Sequence, residues 1–147
     1  MPFPEPGLAQ LLARGVSRGF LRRGHATLIE FSLANGRRAD VAALGPAGDL
    51  SIVEIKTSVE DFRADRKWPE YREFCDQLYF AVPDGFPVEL IPAECGLIAA
   101  DPFMAEILRE APVIRLNPAR RKAVTLRFAL AASTRLQRLV DPHAQEA

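Results

Sequence analysis

Three short segments rich in β-forming residues, separated by only a few positions, constrain this 147-residue chain more than any other feature. Segments 26–33, 38–44 and 50–56 are divided by Asn35-Gly36 and by Gly45-Pro46-Ala47-Gly48, residues that reverse a chain tightly. Connections this short join strands only antiparallel, which predicts a three-stranded meander. Ahead of it, Leu8, Leu11, Leu12, Val16 and Phe20 recur at three- and four-residue steps, with Arg14, Arg18 and Arg22 along the flank. That spacing predicts an amphipathic helix over 6–23, ended near Gly24.

Beyond the meander, Ser58 with Asp61 three positions later predicts a helix start. Phe62, Trp68, Tyr71, Phe74 and Leu78 continue at roughly helical spacing, so one or two helices fit up to Gln77, with a restart at Pro69. The apolar run 78–82 suits a buried strand, and shorter strands are expected around 97–100 and 113–116. Asn117-Pro118 opens a last helix to about Val140. Leu126, Ala129, Leu130, Leu136 and Val140 share one of its faces, while Arg120, Arg127, Arg135 and Arg138 cluster on the other, interrupted by Val124 and Phe128. No repeat or linker divides the sequence, so one α/β domain over 1–147 is expected, with a mixed central sheet flanked by helices.

With 48% apolar and 26% charged residues, the chain has enough material for a sizeable core. It has no apolar run near the roughly 18 residues of a membrane span, and Met1-Pro-Phe-Pro-Glu-Pro lacks the basic-then-apolar pattern of a secretory leader. A cytoplasmic protein without a membrane partner is expected. Cys75 and Cys95 are far apart and lack a paired-ligand spacing, which favours buried thiols over a disulfide or zinc site. The net charge of zero conceals basic ends, +3 over 1–29 and +5 over 111–147, around a centre at −8. Such a pattern suits either a well-mixed solvated surface or a polyanion-binding protein whose carboxylates gather at a cation.

Chemistry concentrates in the second hairpin. If it is symmetric about Ala47, Asp40 faces Glu54, and the period of two puts Lys56 on the same face as Glu54, with Val53 and Ile55 directed to the core. Like charges directly opposite one another destabilise a ladder, so the two acids require a cation, a shared proton or another register. Two hard oxygen ligands beside an ammonium are what divalent-metal hydrolysis of phosphodiesters uses. The simpler alternative is a cross-strand salt-bridge cluster on a solvated sheet face.

Asp40, a loop and Val53-Glu54-Ile55-Lys56 resemble the D…(D/E)-x-K signature of the PD-(D/E)XK nuclease superfamily. More specifically, 33–41, 52–58, 61–71 and 75–82 resemble the MmcB family of proposed DNA-repair endonucleases, and the likeness extends over nearly the whole chain. The resemblance implies a restriction-endonuclease-like core and a Mg²⁺- or Mn²⁺-dependent endonuclease acting on DNA in repair. It implies Asp40 and Glu54 as metal ligands, the Ile55 backbone carbonyl as a further ligand, and Lys56 at the water and phosphate. Many relatives add a glutamate from the first helix, where this chain has only Gln10; Glu30 is the substitute to consider, with an ordinary exposed strand residue as the alternative.

Arg37, Arg38, Lys67, Arg120 and Arg127 are candidate DNA contacts, though a solvated face explains any one of them. Asp61 and Asp65 fit either the rim of the cleft or solvent-facing ion pairs. Trp68 and Tyr71 fit either base stacking or, more simply, packing on the sheet. No nucleophile elbow, histidine triad or phosphate-binding glycine loop is present. The rival reading is a noncatalytic nucleic-acid-binding or scaffold module on a nuclease-like fold. A homodimer or a repair-protein partner is compatible with either.

Overall fold

The computed structural model describes residues 5–144; most of the segment read for a leader lies outside them. Helix α1 (Leu8–Arg22) starts where the Gln10 side chain accepts the Gly7 N–H at 3.1 Å, and stops at Gly24, whose φ of +81° suits a residue lacking Cβ. The expected meander follows as β1 (Ala26–Ser32), β2 (Arg38–Leu44) and β3 (Leu50–Ile55). A short helix α2 (Val59–Ala64) and a 3₁₀ segment (Trp68–Phe74) lead to β4 (Gln77–Val82), β5 (Gly96–Ala100) and β6 (Ala105–Arg109). The restart lies at Pro69, and Ser58 Oγ accepts the Asp61 N–H as its spacing predicts. Helix α3 (Pro118–Val140) follows its Asn117 cap.

The strands form one six-stranded sheet in chain order. Pairs β1–β2, β2–β3 and β5–β6 are antiparallel, while β3–β4 and β4–β5 are parallel, giving the mixed sheet expected and one consistent with a restriction-endonuclease-like core. Helix α1 covers one face, with Leu12, Val16 and Phe20 against Val41, Val53, Ile55, Tyr79 and Ile98. On the other face, Phe31, Ile52, Leu78 and Phe80 lie beneath the 3₁₀ segment and α3. Each large side chain so buried contributes about 1.5–3 kcal/mol. Trp68 packs edge-on against Phe80 at 5.5 Å, the core role that is the simpler of its two readings. Cys75 and Cys95 are buried free thiols.

Two expectations are corrected. Residues 113–116 are not a strand: Ile114 donates to the Asp76 carbonyl and Leu116 to the Asp76 carboxylate, which straps the segment outside the ladder. The sixth strand is instead Ala105–Arg109, a short edge segment that puts Leu108 on the exposed face with Glu106 and Arg109 on the inner face with Ile107, which masked its pattern.

Helix α3 docks by its arginine-bearing face, the one that Val124 and Phe128 interrupt. Val124 and Phe128 are buried, Phe128 edge-on to Phe31 at 5.7 Å, whereas Leu126, Leu130, Leu136 and Val140 are exposed. The docking face carries arginines because they have fixed acceptors. Arg121 pairs with buried Asp76 at 2.6 Å and bonds the Gly48 carbonyl, and Arg135 donates to the Ile29 and Glu30 carbonyls of β1.

Candidate active site

The site forms where β2 and β3 leave their ladder. The last backbone pairing is Val41↔Val53, and the same register continued by one step sets Asp40 across from Glu54. There the Asp40 side chain takes over from the backbone: its Oδ2 accepts the Ile55 N–H at 2.8 Å. On the next strand, Glu54 and Ile55 pair with Phe80 and Ala81 of β4, and the Lys56 N–H reaches the Ala81 carbonyl. The acids therefore stand at the end of the parallel strand pair, fixed by backbone on both sides.

Glu54 is only 4% exposed. Burial, then hydrogen bonding to Asp40 and the Asp40 charge, push its carboxyl up to about 10, against the opposing effects of Tyr71 and Lys56. At neutral pH the metal-free site therefore carries a proton on Glu54, the shared-proton solution to two adjacent acids. Glu54 Oε1 is buried with no hydrogen-bond partner. An unpaired buried oxygen costs about 1–3 kcal/mol, and beside a second carboxylate it is a position that a hard cation completes.

Lys56, 8% exposed, extends its ammonium to Asp65 Oδ2 at 2.8 Å and lies 3.9 Å from Asp61 Oδ1. Asp61 in turn accepts the Thr57 N–H at 3.1 Å, and Asp65 accepts the Lys67 N–H at 2.8 Å. Asp65 is largely buried against the lysine, whereas Asp61 lies farther off and faces solvent in part. Burial acts to raise the Asp65 carboxyl, but bonds from Lys56 and from the Lys67 and Trp68 backbone hold it below the usual range.

The other candidates are not gathered equally. Glu30 is exposed, and its backbone lies in the left-handed region at φ +54°. Leu28 and Phe31 pack on the α3 side although three residues apart, as do Ala42 and Ala39. Both strands thus change face at the Glu30–Asp40 level, a local turn that aims Asp40 at β3. Among the described residues no group of three His, Cys, Asp or Glu side chains is placed to hold a metal ion, so the structure does not bring Glu30 to the acid pair. Arg37 pairs with Glu70 at 2.6 Å, and the exposed Arg38 lends its carbonyl to the Tyr71 hydroxyl at 3.1 Å. Lys67 and Arg127 are exposed, while Arg120 lies over the Phe74 ring at 4.7 Å.

Tyr71 is the residue that pattern reading assigned too simply. It packs on the sheet, yet its hydroxyl also reaches the Arg38 carbonyl beside the acid pair; burial and the Glu54 charge raise it above the ordinary tyrosine range. Its position three residues after Trp68 gave only a packing signal. For Asp65, its place nine residues after Lys56 carried no spacing rule, because the bend between α2 and the 3₁₀ segment brings it back.

The model of the family described as DNA repair protein MmcB-like matches residues 5–143. The chain belongs to this MmcB-like family. Membership ties it to DNA repair. A protein of unknown function from Silicibacter pomeroyi has a similar solved structure, with 47% identity and a TM-score of 0.92 over 96% of this chain and 97% of the other. No curated protein matches. Among the described residues of this MmcB-like chain, no helix is long and apolar enough to cross a membrane.

Proposed function

We propose that this protein is a metal-dependent DNA endonuclease of the PD-(D/E)XK type, hydrolysing phosphodiester bonds in DNA repair. The observation that carries the reading is the half-buried Asp40 beside buried Glu54, whose Oε1 is unpartnered, next to an ammonium held in place. Asp40, Glu54 and the Ile55 carbonyl would hold Mg²⁺ or Mn²⁺, since two carboxyl oxygens and a carbonyl are the hard donors these ions take. Glu30 is left out of this set; its role is the backbone turn beside Asp40. When bound, the ion supplies Lewis acidity and a water of lowered pKa.

The remaining work belongs to the chain's own groups. Lys56, oriented by Asp65 and Asp61, offers a fixed positive charge where negative charge grows on the phosphate, an arrangement that costs no reorganisation during reaction. Tyr71, donating to the Arg38 carbonyl, holds the Glu54 side of the site against the 3₁₀ segment. Arg37, Arg38 and Lys67 would position the phosphate backbone, as would Arg120 and Arg127 on α3. The absence of a third acid among the described residues favours one rival, a nucleic-acid-binding module with no turnover.

Cleavage of labelled single-stranded, duplex and branched DNA at low salt separates the two. Wild type with Mg²⁺ or Mn²⁺ is expected to cut at least one substrate, and EDTA or Asp40→Asn to abolish cutting. Binding without cleavage on every substrate would instead establish the module.

A further inference from the structure

Three elements close around a cavity of about 350 Å³: the β1–β2 turn gives Leu33, the 3₁₀ segment gives Phe74, and α3 gives Arg120, Ala123, Val124 and Arg127. The same turn runs on into Arg38, and the same 3₁₀ segment carries Tyr71, whose hydroxyl donates to the Arg38 carbonyl at 3.1 Å. The cavity and the acid pair therefore rest on common supports. Its bottom is apolar, formed by Leu33, Phe74 and Val124, and its rim is cationic. Arg120 and Arg127 stand two helical turns apart, about 10.5 Å along α3.

Neither of these charges is cancelled. Arg37 is paired with Glu70 and Arg121 with Asp76, but among the described residues no carboxylate comes within ion-pair distance of Arg120 or Arg127, and residues 118–140 contain no acid. Arg120 lies over the Phe74 ring at 4.7 Å, a neutral partner that fixes the guanidinium without neutralising it. Phe74 itself is buried, so the surface offered to a ligand is the guanidinium it backs. An apolar bottom, a planar cation and a second cation beyond it suit a ligand with a flat body and an anionic group beside it. A nucleotide within a strand has that form, because its base stacks on arginine planes and its phosphates seek arginine. In a duplex the base is paired and stacked, and phosphates alone would leave Leu33 and Val124 without a partner. We infer that the cavity takes one unpaired nucleotide of single-stranded DNA, its base on the Arg120 guanidinium over the apolar bottom and an adjoining phosphate at Arg127. The inference rests on the DNA-binding part of the reading above and names the substrate, a strand held unpaired on the elements that support Asp40 and Glu54.

The test measures binding alone, with the full chain in EDTA at low salt, by fluorescence anisotropy. Its probes are a short labelled single strand of mixed sequence, the same strand as a duplex, and an abasic strand of equal length that keeps the phosphates without the bases. Wild type is expected to bind the single strand at least tenfold more tightly than the duplex and at least fivefold more tightly than the abasic strand, roughly what stacking of one base contributes. Ala123→Phe, which fills the cavity from an exposed helix position, is expected to weaken single-strand binding at least fivefold and to leave duplex binding within about twofold. Arg127→Ala probes the cavity without filling it and should lower the salt dependence of single-strand binding by about one phosphate contact. Unchanged circular dichroism and Tm confirm that both variants fold. Equal binding of strand and duplex, equal binding of the abasic strand, no binding of any probe, or indifference to both substitutions would overturn the inference. Competition by free deoxynucleoside monophosphates as strong as by the strand would overturn it too, making the occupant a small nucleotide. Cleavage is scored separately. Base-dependent single-strand binding by a protein that cuts nothing would sink the nuclease reading and leave this ligand standing, whereas metal-dependent cutting of duplex without a single-strand preference would do the reverse.

Discussion

Lys56 Nζ stands 2.8 Å from Asp65 Oδ2, so the ammonium beside the acid pair is held from a separate element, the bend after α2. Breaking this contact leaves a largely buried cation unpaired. Asp65→Asn is expected to destabilise the protein by about 2 kcal/mol, less than a fully buried pair because Asp65 keeps some solvent contact. That corresponds to a Tm lower by roughly 4–8 °C. The Asp65 carboxyl is depressed in the folded state, so its contribution is present above the ordinary value of 3.8 and is lost as pH falls through the folded value. Urea denaturation at pH 7 and at pH 3 should show the wild-type advantage over Asp65→Asn shrinking at the lower pH.

Glu54 behaves in the opposite sense. Its folded pKa of about 10 lies above the ordinary 4.5, so the folded state holds a proton that the unfolded chain releases. Stability from this group is full below pH 4.5 and is lost as pH rises toward 10. In EDTA, wild type should lose denaturation midpoint between pH 6 and pH 9, and Glu54→Gln should flatten that loss. A Glu54→Gln variant with the same slope as wild type would assign the pH dependence elsewhere.

Asp76 ties α3 to the sheet, accepting from the Leu50 and Leu116 N–H groups and from both terminal nitrogens of Arg121. Asp76→Asn removes the carboxylate that Arg121 pairs with and is expected to cost about 3–5 kcal/mol, a Tm decrease on the order of 10 °C. Arg121→Ala should do comparable damage, and the double variant should cost less than the two single effects added, as a thermal double-mutant cycle would show.

Glu30→Gly separates the two roles considered for that residue. A glycine accepts φ +54° without the Cβ penalty, so Tm should rise slightly, by an amount equivalent to about 1 kcal/mol. If Glu30 acts only through its backbone, cation binding and cleavage stay at the wild-type level; a loss of cation binding would restore its carboxylate to the ligand set.

Much of this was legible because local chemistry and fold agree. Asn35-Gly36 and Gly45–Gly48 fix the meander, and hairpin symmetry about Ala47 is enough to set Asp40 toward Glu54. Periodicity failed on α3 because both of its faces carry apolar residues at helical spacing. Only the acceptors waiting at Asp76 and β1 decide which face docks, and those lie 45 or more residues away in sequence. The same limit hid Asp65 and Tyr71, whose roles depend on a bend rather than on a period. Residues 113–116 have strand composition, but the Asp76 strap takes N–H groups that a ladder would use.

The most direct measurement is calorimetric titration of Mn²⁺ into the metal-free protein at pH 7.5, wild type beside Asp40→Asn and Glu54→Gln, with DNA cleavage followed on the same samples. The account predicts a saturable site in wild type that either substitution weakens at least tenfold, with cleavage lost in step. Binding that survives both substitutions, or cleavage that proceeds without the cation, would contradict it.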